Sequence, residues 1–392
     1  MKKFGFFQGI SGLLKLLKLR KNKIKNADST IKEDHVGEET KKLHRGPVPA
    51  TLLSRIEIGP GAFLLRFGVE EPPLFQAGQF VSLRFRIGNS LLTRPYSIVS
   101  SPGEAYRDKA FEIVVADNPQ GFAAPYLCHE LSIGSSIEAD IGHGRLTFNP
   151  VRDGNNVVVI AGGSGITPWI SFAKWIHENP DLPYRLTILH GSVDPNNAIG
   201  DKTIETLNDE RIRLIPVISG PYEFKGEKGL ITKEVIRRYA KEDECPTYFI
   251  CGSTAMDEFI RGELKKLGVN QRHIRSEAFT DLDPKDPDFP KDLIGKAFRM
   301  HVLQGNKETV VECSAEESIA SSLERAGLYV RTCCRTGNCG GCKARLLKGE
   351  ILVRSKPDNR RQADIEAGYF LTCVTYPKSD LTIRLPIPPR GY

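Results

Sequence analysis

A multidomain chain is the fold this sequence predicts: an antiparallel β-barrel, then an α/β domain with a parallel sheet, then a small α+β domain. Three observations predict it. Short alternating apolar runs broken by Gly and Pro fill residues 47–149. Solid apolar runs alternate with helix-like stretches over 150–280. A glycine-rich loop with closely spaced cysteines lies within 298–392. The length of 392 residues, with 40% hydrophobic and 26% charged residues, leaves room for two or three ordinary globular cores.

The first 46 residues stand apart. Residues 1–25 carry eight Lys or Arg and no acid, which exceeds the +7 of the whole chain, so the body is close to neutral. A neutral body argues against nucleic-acid binding. Ile10, Leu13, Leu14 and Leu17 recur at helical spacing, with Lys15, Lys18 and Lys21 on another side. Such a basic amphipathic helix suits an anionic membrane surface or a partner, or is simply a solvated extension. Lysines interrupt the apolar stretch and no small-residue cleavage site follows, which disfavours a signal peptide. Residues 26–46 are polar and read as a linker. No run of 18 apolar residues occurs, and a cytoplasmic chain is expected, with peripheral contact to a membrane through residues 1–25 as an option.

The barrel, 47–149, is expected to use strands near 50–56, 62–67, 79–84, 96–100, 111–116 and 136–139. The α/β domain, 150–280, opens with the buried-strand pattern of 157–161. A glycine turn and a helix at 169–177 follow, then strands near 185–190, 213–218 and 248–251. Residues 281–297, rich in Asp, Pro and Lys, read as a linker. In the last domain, 298–392, runs at 298–303 and 309–313 suggest a hairpin, and 318–326 a helix.

The cysteines carry the sharpest chemistry. Cys334, Cys339 and Cys342 follow C-x4-C-x2-C, and 30 residues separate Cys342 from Cys373. This is the plant-type spacing for a 2Fe-2S cluster. Gly337, Gly340 and Gly341 let a tight loop aim backbone N–H groups at sulfur. The competing reading is zinc, but only one C-x2-C pair exists and no His lies among the ligands. Clustered thiolates fit a reducing compartment better than a disulfide framework. Cys128, Cys245, Cys313 and Cys333 read as buried small apolar residues.

Arg94-Pro95-Tyr96-Ser97 leads into the barrel strand expected near 96–100. An Arg beside a Tyr can hold a phosphate and stack on a flat ring, or be no more than a rim pair. Gly162-Gly163-Ser164-Gly165-Ile166-Thr167-Pro168 follows a strand and opens a helix, where glycines let a pyrophosphate approach helix N–H groups.

On these motifs, residues 47–392 resemble the ferredoxin–NADP reductase superfamily, specifically its reductases fused to a C-terminal plant-type ferredoxin domain of β-grasp fold. Such reductases feed oxygenases, hydroxylases, desaturases or the hybrid cluster protein. The resemblance implies that Arg94, Pro95, Tyr96 and Ser97 form the flavin motif R-x-Y-S. It puts the flavin-phosphate turn G-x-x-S at Gly121-Phe122-Ala123-Ala124, with Ala124 replacing the usual Ser. Gly142-His143-Gly144-Arg145-Leu146 is an imperfect P-x-G-x-F. Gly162, Gly163, Gly165, Thr167 and Pro168 match G-G-x-G-I-T-P, with Thr167 near the flavin. Cys251, Gly252 and Met256 match the C-G-P…M element near the nicotinamide, with Ser253 in place of Pro. Glu277 and Phe279 match E-x-F at the flavin face. FAD is expected over FMN, because the run from Arg94 to Pro102 resembles the FAD-type members.

Where NADP-specific members carry Ser-Arg, this chain reads Ser192-Val193-Asp194. Asp194 suits a ribose hydroxyl and repels a phosphate, so NADH is expected, with NADPH open through Lys202 or a nearby arginine. A nicotinamide gives two electrons as hydride, a 2Fe-2S cluster takes one, and a flavin handles both, so the three centres make sense in series. The expected function is electron transfer from NAD(P)H through flavin and cluster to a redox protein acceptor. A bidirectional carrier–NAD oxidoreductase and a flavin and cluster sensor without turnover are the alternatives. The hydride step needs no general base, so no acid–base residue is named.

Overall fold

The computed structural model describes residues 6–25, 40, 46–240, 246–278, 289–354 and 358–388. Cys245 and Phe279 lie outside them, as does the linker 26–46 apart from residues 40 and 46. Two compact units result, 1–45 and 46–392. In the first, the periodicity of the tail gives one helix, α1 (Phe6–Lys25). Lys23 and Lys25 in its last turn suit the negative end of the helix dipole. Leu14, Leu16, Leu17 and Leu19 are each more than half exposed. No described helix is long and apolar enough to cross a membrane.

The second unit starts with six antiparallel strands: β1 (Val48–Gly59), β2 (Ala62–Gly68), β3 (Phe80–Ile87), β4 (Ser90–Ser97), β5 (Ala110–Ala116) and β6 (Ser136–His143). Their order is β4-β3-β6-β1-β2-β5, and a bridge between Ile98 and Ile113 joins the two ends into a barrel. Alternate residues fill it, among them Leu52, Leu65, Phe67, Leu83 and Phe111. The strand expected at 96–100 lies earlier, at 90–97. Ile87 pairs with Ser90 in a tight hairpin with Gly88 at φ 55°. Beyond Ser97 the chain turns into α2 (Pro102–Asp108), whose start is a capping box of Ser101 and Glu104 with Pro102 in the first turn.

The α/β domain has β7 (Asn156–Gly162), β8 (Arg185–Ser192), β9 (Ile212–Ile218), β10 (Glu227–Lys228), β11 (Thr247–Gly252) and β12 (Ile274–Ala278) in the order β10-β9-β8-β7-β11-β12. Every pair is parallel. Helices α3 (Thr167–Glu178) and α4 (Asp201–Thr206) cover one face, where Val157 and Val159 meet Trp169, Phe172 and Ile204. Helices α5 (Lys233–Tyr239) and α6 (Thr254–Lys266) cover the other, where Val158 and Ile160 meet Ile236 and Ile260. Burial on both faces is why β7 reads as a continuous apolar run. The chain turns to opposite sides of β7 after β7 and after β10. The crevice at the C-terminal end of β7 is therefore the switch point where such sheets bind ligands.

The last domain has β13 (Ala297–Gln304), β14 (Lys307–Ser314), α7 (Ile319–Arg325), β15 (Lys343–Lys348), β16 (Ile351–Val353), α8 (Gln362–Glu366), β17 (Tyr369–Leu371), β18 (Thr375–Pro377) and β19 (Leu381–Leu385). Its main sheet runs β14-β13-β19-β15-β17, with β13 and β19 parallel and the other pairs antiparallel. Ile319, Ala320 and Leu323 of α7 pack on that sheet. The segment expected to be linker at 281–297 is in its described part joined to this domain. Phe289 and Leu293 are buried with Ala315 and Tyr376, and the Arg354 guanidinium lies 5.1 Å from the Phe289 ring. Burying two large apolar side chains outweighs the polar composition of the segment.

Candidate functional site

Three elements from three domains enclose a cleft of about 270 Å³. The barrel contributes Phe80, Arg94, Tyr96 and Ala124. The α/β domain contributes Ser164, Thr167 and Glu277, and the cysteine loop contributes Cys334 and Thr336. Pro95 and Ser97 line it too, so the whole Arg94–Ser97 run borders one space. Gly121 closes a turn through its N–H to the Asn118 carbonyl at 2.7 Å, and Ala123 opens the short helical stretch that follows. Burial pushes the Tyr96 phenol well above its ordinary range. The Glu277 carboxyl is pushed up to about 7, first by burial and then by the neighbouring Cys334 sulfur. An apolar space edged by a few polar groups suits a flat ring system.

At the switch point, Gly163 has φ 51° and nothing within 4 Å of where a Cβ would stand. A Cβ on Gly165 would fall on the Cys251 carbonyl, and one on Gly162 would fall on Met256 Sδ. The loop is thus pressed against the end of β11 on one side and open on the other, as a bound pyrophosphate requires. The Thr167 hydroxyl donates to the Ser164 carbonyl at 2.8 Å, and Pro168 follows at the start of α3. Cys251 and Gly252 are buried at the end of β11. Ser253 caps α6 by accepting from the Met256 N–H at 3.2 Å. Ser is a good N-cap, which gives the departure from the family's Pro a local role. Asp194 accepts from the backbone N–H of Asn196 at 2.8 Å and from its side chain at 3.1 Å, and the Ser192 hydroxyl donates to the Asp194 carbonyl.

One pair here was missed from sequence. His190, at the end of β8 and fully buried, has Nδ1 2.5 Å from Asp201 Oδ1 and Nε2 2.9 Å from the Gly163 carbonyl. It braces the glycine loop from behind. Its only sequence signal was a polar residue closing an apolar strand.

The cysteine loop is shaped by Arg335, Gly337 and Gly340, at φ 57°, 76° and 71°. Cys334 Sγ accepts from the Cys339 N–H at 3.3 Å, and Cys339 Sγ from the Gly341 N–H at 3.4 Å. Cys342 and Cys373 bring their sulfurs to 3.2 Å. The Thr372 N–H and hydroxyl both donate to the Cys342 carbonyl, at 3.1 and 3.0 Å, which draws the two segments together. Backbone N–H groups aimed at sulfur favour thiolate donors. Among the described residues no three His, Cys, Asp or Glu side chains group as one ion would need. A two-iron cluster, held by four thiolates, fits this donor set. Cys334, Cys342 and Cys373 are buried, while Cys339 is exposed. Cys128 and Cys313 are buried as expected, but Cys333 is only half-buried, because it sits in the loop that also exposes Cys339.

Comparisons with known proteins agree with this layout. Residues 49–148 match the oxidoreductase FAD-binding domain family, 159–262 the oxidoreductase NAD-binding domain family, and 302–378 the 2Fe-2S iron-sulfur cluster binding domain family. Each domain therefore belongs to its family, and the chain carries the three in the order of a flavoprotein reductase with a C-terminal 2Fe-2S ferredoxin domain. It is an NAD(P)H-dependent flavoprotein iron–sulfur oxidoreductase that passes electrons through FAD and a 2Fe-2S cluster.

Among its relatives is the glycine betaine monooxygenase reductase subunit of Chromohalobacter salexigens, 26% identical over 81% of this chain and 89% of that one. The ferredoxin reductase component of 3-ketosteroid-9-alpha-monooxygenase from Rhodococcus rhodochrous is 24% identical over 78% and 86%. The solved structure of phthalate dioxygenase reductase shares the fold, with a TM-score of 0.63 at 20% identity over 87% of this chain and 98% of that one.

Proposed function

We propose that this chain is the reductase component of an oxygenase system, and that the cleft residues divide the work as follows. Tyr96 and Ser97 hold the flavin ring and its chain, with Arg94, Pro95 and the turn at Gly121, Ala123 and Ala124 around its polar end. Gly162, Gly163, Gly165, Thr167 and Pro168 receive the nucleotide pyrophosphate. Cys251, Gly252 and Met256 border the nicotinamide, with Glu277 at the flavin face. Ser192 and Asp194 face the adenosine ribose, and the carboxylate favours NADH over NADPH. Cys334, Cys339, Cys342 and Cys373 hold the cluster. When bound, the flavin converts a two-electron donor into single electrons.

The observation that carries this reading is the position of two cysteines. Cys334 lines the cleft that Tyr96 and Thr167 also line, whereas Cys339 is exposed. The cysteine loop thus has one end at the flavin cleft and the other at solvent, where a partner protein can take electrons. An oxygenase acceptor is supported by the names of the relatives, several of which are reductase components of monooxygenases. The test is double mixing. Protein reduced anaerobically with NADH is mixed with the oxidised oxygenase component of the glycine betaine system, and separately with cytochrome c. Reduction of both supports the proposal. Reduction of cytochrome c alone turns the reading toward another class of acceptor. The exposed, basic α1 suits the anionic face of a membrane, and we assign residues 1–25 that peripheral role.

A further inference from the structure

Glu324 lies in the last turn of α7, in the ferredoxin domain, and is 1% exposed. A buried carboxylate is costly unless donors surround it. Its donors come from two domains. From its own domain, Arg335 Nη1 reaches both carboxylate oxygens at 2.9 Å, and the Thr332 hydroxyl reaches Oε1 at 3.2 Å. From the flavin barrel, Arg94 Nη1 donates to Oε2 at 2.7 Å, and the Thr93 backbone N–H donates to Oε1 at 3.1 Å. β4 is an end strand of the six, so Glu324 takes up an edge N–H that a strand would otherwise seek.

The rest of the contact follows the same line. The Arg84 guanidinium lies 4.7 Å from the Tyr329 ring centre. The Ser90 hydroxyl donates to the Arg325 carbonyl at 3.4 Å. A Cβ on Gly327 would stand 2.5 Å from the Asn89 carbonyl oxygen, so the hairpin tip and the end of α7 meet with no side chain between them. Arg94 and Arg335 both border the cleft. One carboxylate thus joins a guanidinium of the flavin motif to the residue that follows Cys334.

We infer that Glu324 is a positioning residue for the internal electron step: it pins the ferredoxin domain to the flavin strand and so fixes the gap between the flavin cleft and Cys334. Electron tunnelling falls off steeply with distance, so a loosened pin slows this step and spares hydride transfer. Replacing Glu324 with Gln keeps the shape but leaves two guanidiniums facing each other without a neutralising charge. The inference holds whichever protein takes the electrons from the cluster.

The test compares full-length, cofactor-loaded protein with its Glu324→Gln variant. Four quantities are read: cluster absorbance, NADH–ferricyanide turnover, the single-turnover rate from flavin to cluster, and amide hydrogen exchange across 89–94. The expected result is an intact cluster, ferricyanide turnover within twofold of the parent, flavin-to-cluster transfer slowed tenfold or more, and faster exchange at 89–94. Unchanged transfer with unchanged exchange overturns the inference. Loss of the cluster also overturns it, because Glu324 would then serve the folding of its own loop through Thr332 and Arg335. Failure of an oxygenase to accept electrons leaves all four readouts untouched, so the two proposals fail separately.

Discussion

Gly162 and Gly165 lie three residues apart in one loop and answer to different neighbours. A methyl on Gly165 meets backbone, the Cys251 carbonyl and the Gly252 nitrogen, which cannot yield without moving β11. A methyl on Gly162 meets the end of the Met256 side chain, which is flexible and can rotate away. Gly165→Ala is therefore expected to cost about 1–3 kcal/mol, the range for forced overpacking, and to lower the melting midpoint of the α/β domain. Gly162→Ala should fold nearly as well as the parent but bind NADH more weakly. Equal melting of the two variants would remove the distinction. Cys339 gives a second prediction at this scale. Cys339→Ser removes one cluster ligand and leaves the nucleotide loop intact, so ferricyanide reduction should persist while cytochrome c reduction falls at least tenfold. Full transfer to cytochrome c would mean that electrons bypass the cluster.

At the level of elements, the end of α3 depends on a neighbour distant in sequence. Arg211 donates to the carbonyls of Ile176, Asn179, Pro180 and Leu182, at 2.7 to 3.3 Å. Ile176 lies in the last turn of α3 and the other three in the turn that follows it, so one guanidinium gathers the carbonyls by which the chain leaves the helix. Asp209 holds the guanidinium through contacts of 3.0 and 2.7 Å. Those hydrogen bonds keep the Asp209 carboxyl low, at about 2. A carboxyl lowered in the folded state stabilises it fully above its unfolded pKa, near 4, and that share is lost as pH falls through about 2. Asp209→Asn should cost about 1.5–3 kcal/mol at neutral pH, the range for a charged hydrogen bond. It should also flatten the loss of stability between pH 4 and 2. An acid unfolding curve parallel to that of the parent would refute the clamp.

For the whole molecule, the charge of the chain is concentrated in one unit, α1 and its flanks. Binding to vesicles of anionic lipid should therefore be present at low salt and decline as salt screens the lysines. Deleting residues 1–25 should abolish the binding and leave NADH–ferricyanide turnover unchanged. Equal sedimentation of the full-length and shortened proteins with the vesicles would reduce α1 to a solvated extension.

By itself the sequence determined the local and the periodic. Alternation fixed the barrel strands, continuous apolar runs fixed the parallel sheet, and C-x4-C-x2-C marked the cluster loop, because each depends on residues close together in the chain. The strand that precedes the capping box of Ser101 and Glu104 was expected too late. Tertiary structure alone decided what joins distant segments. Composition marked 281–297 as linker, but burial of Phe289 and Leu293 depends on Tyr376, which lies more than 80 residues away. His190 acquired its place behind Gly163 only when β8 paired with β7. Glu324 lies within the helix expected at 318–326, and only folding set it between Arg94 and Arg335. A buried charge is stable only among donors, and here the donors come from two domains, which no pattern within either segment records.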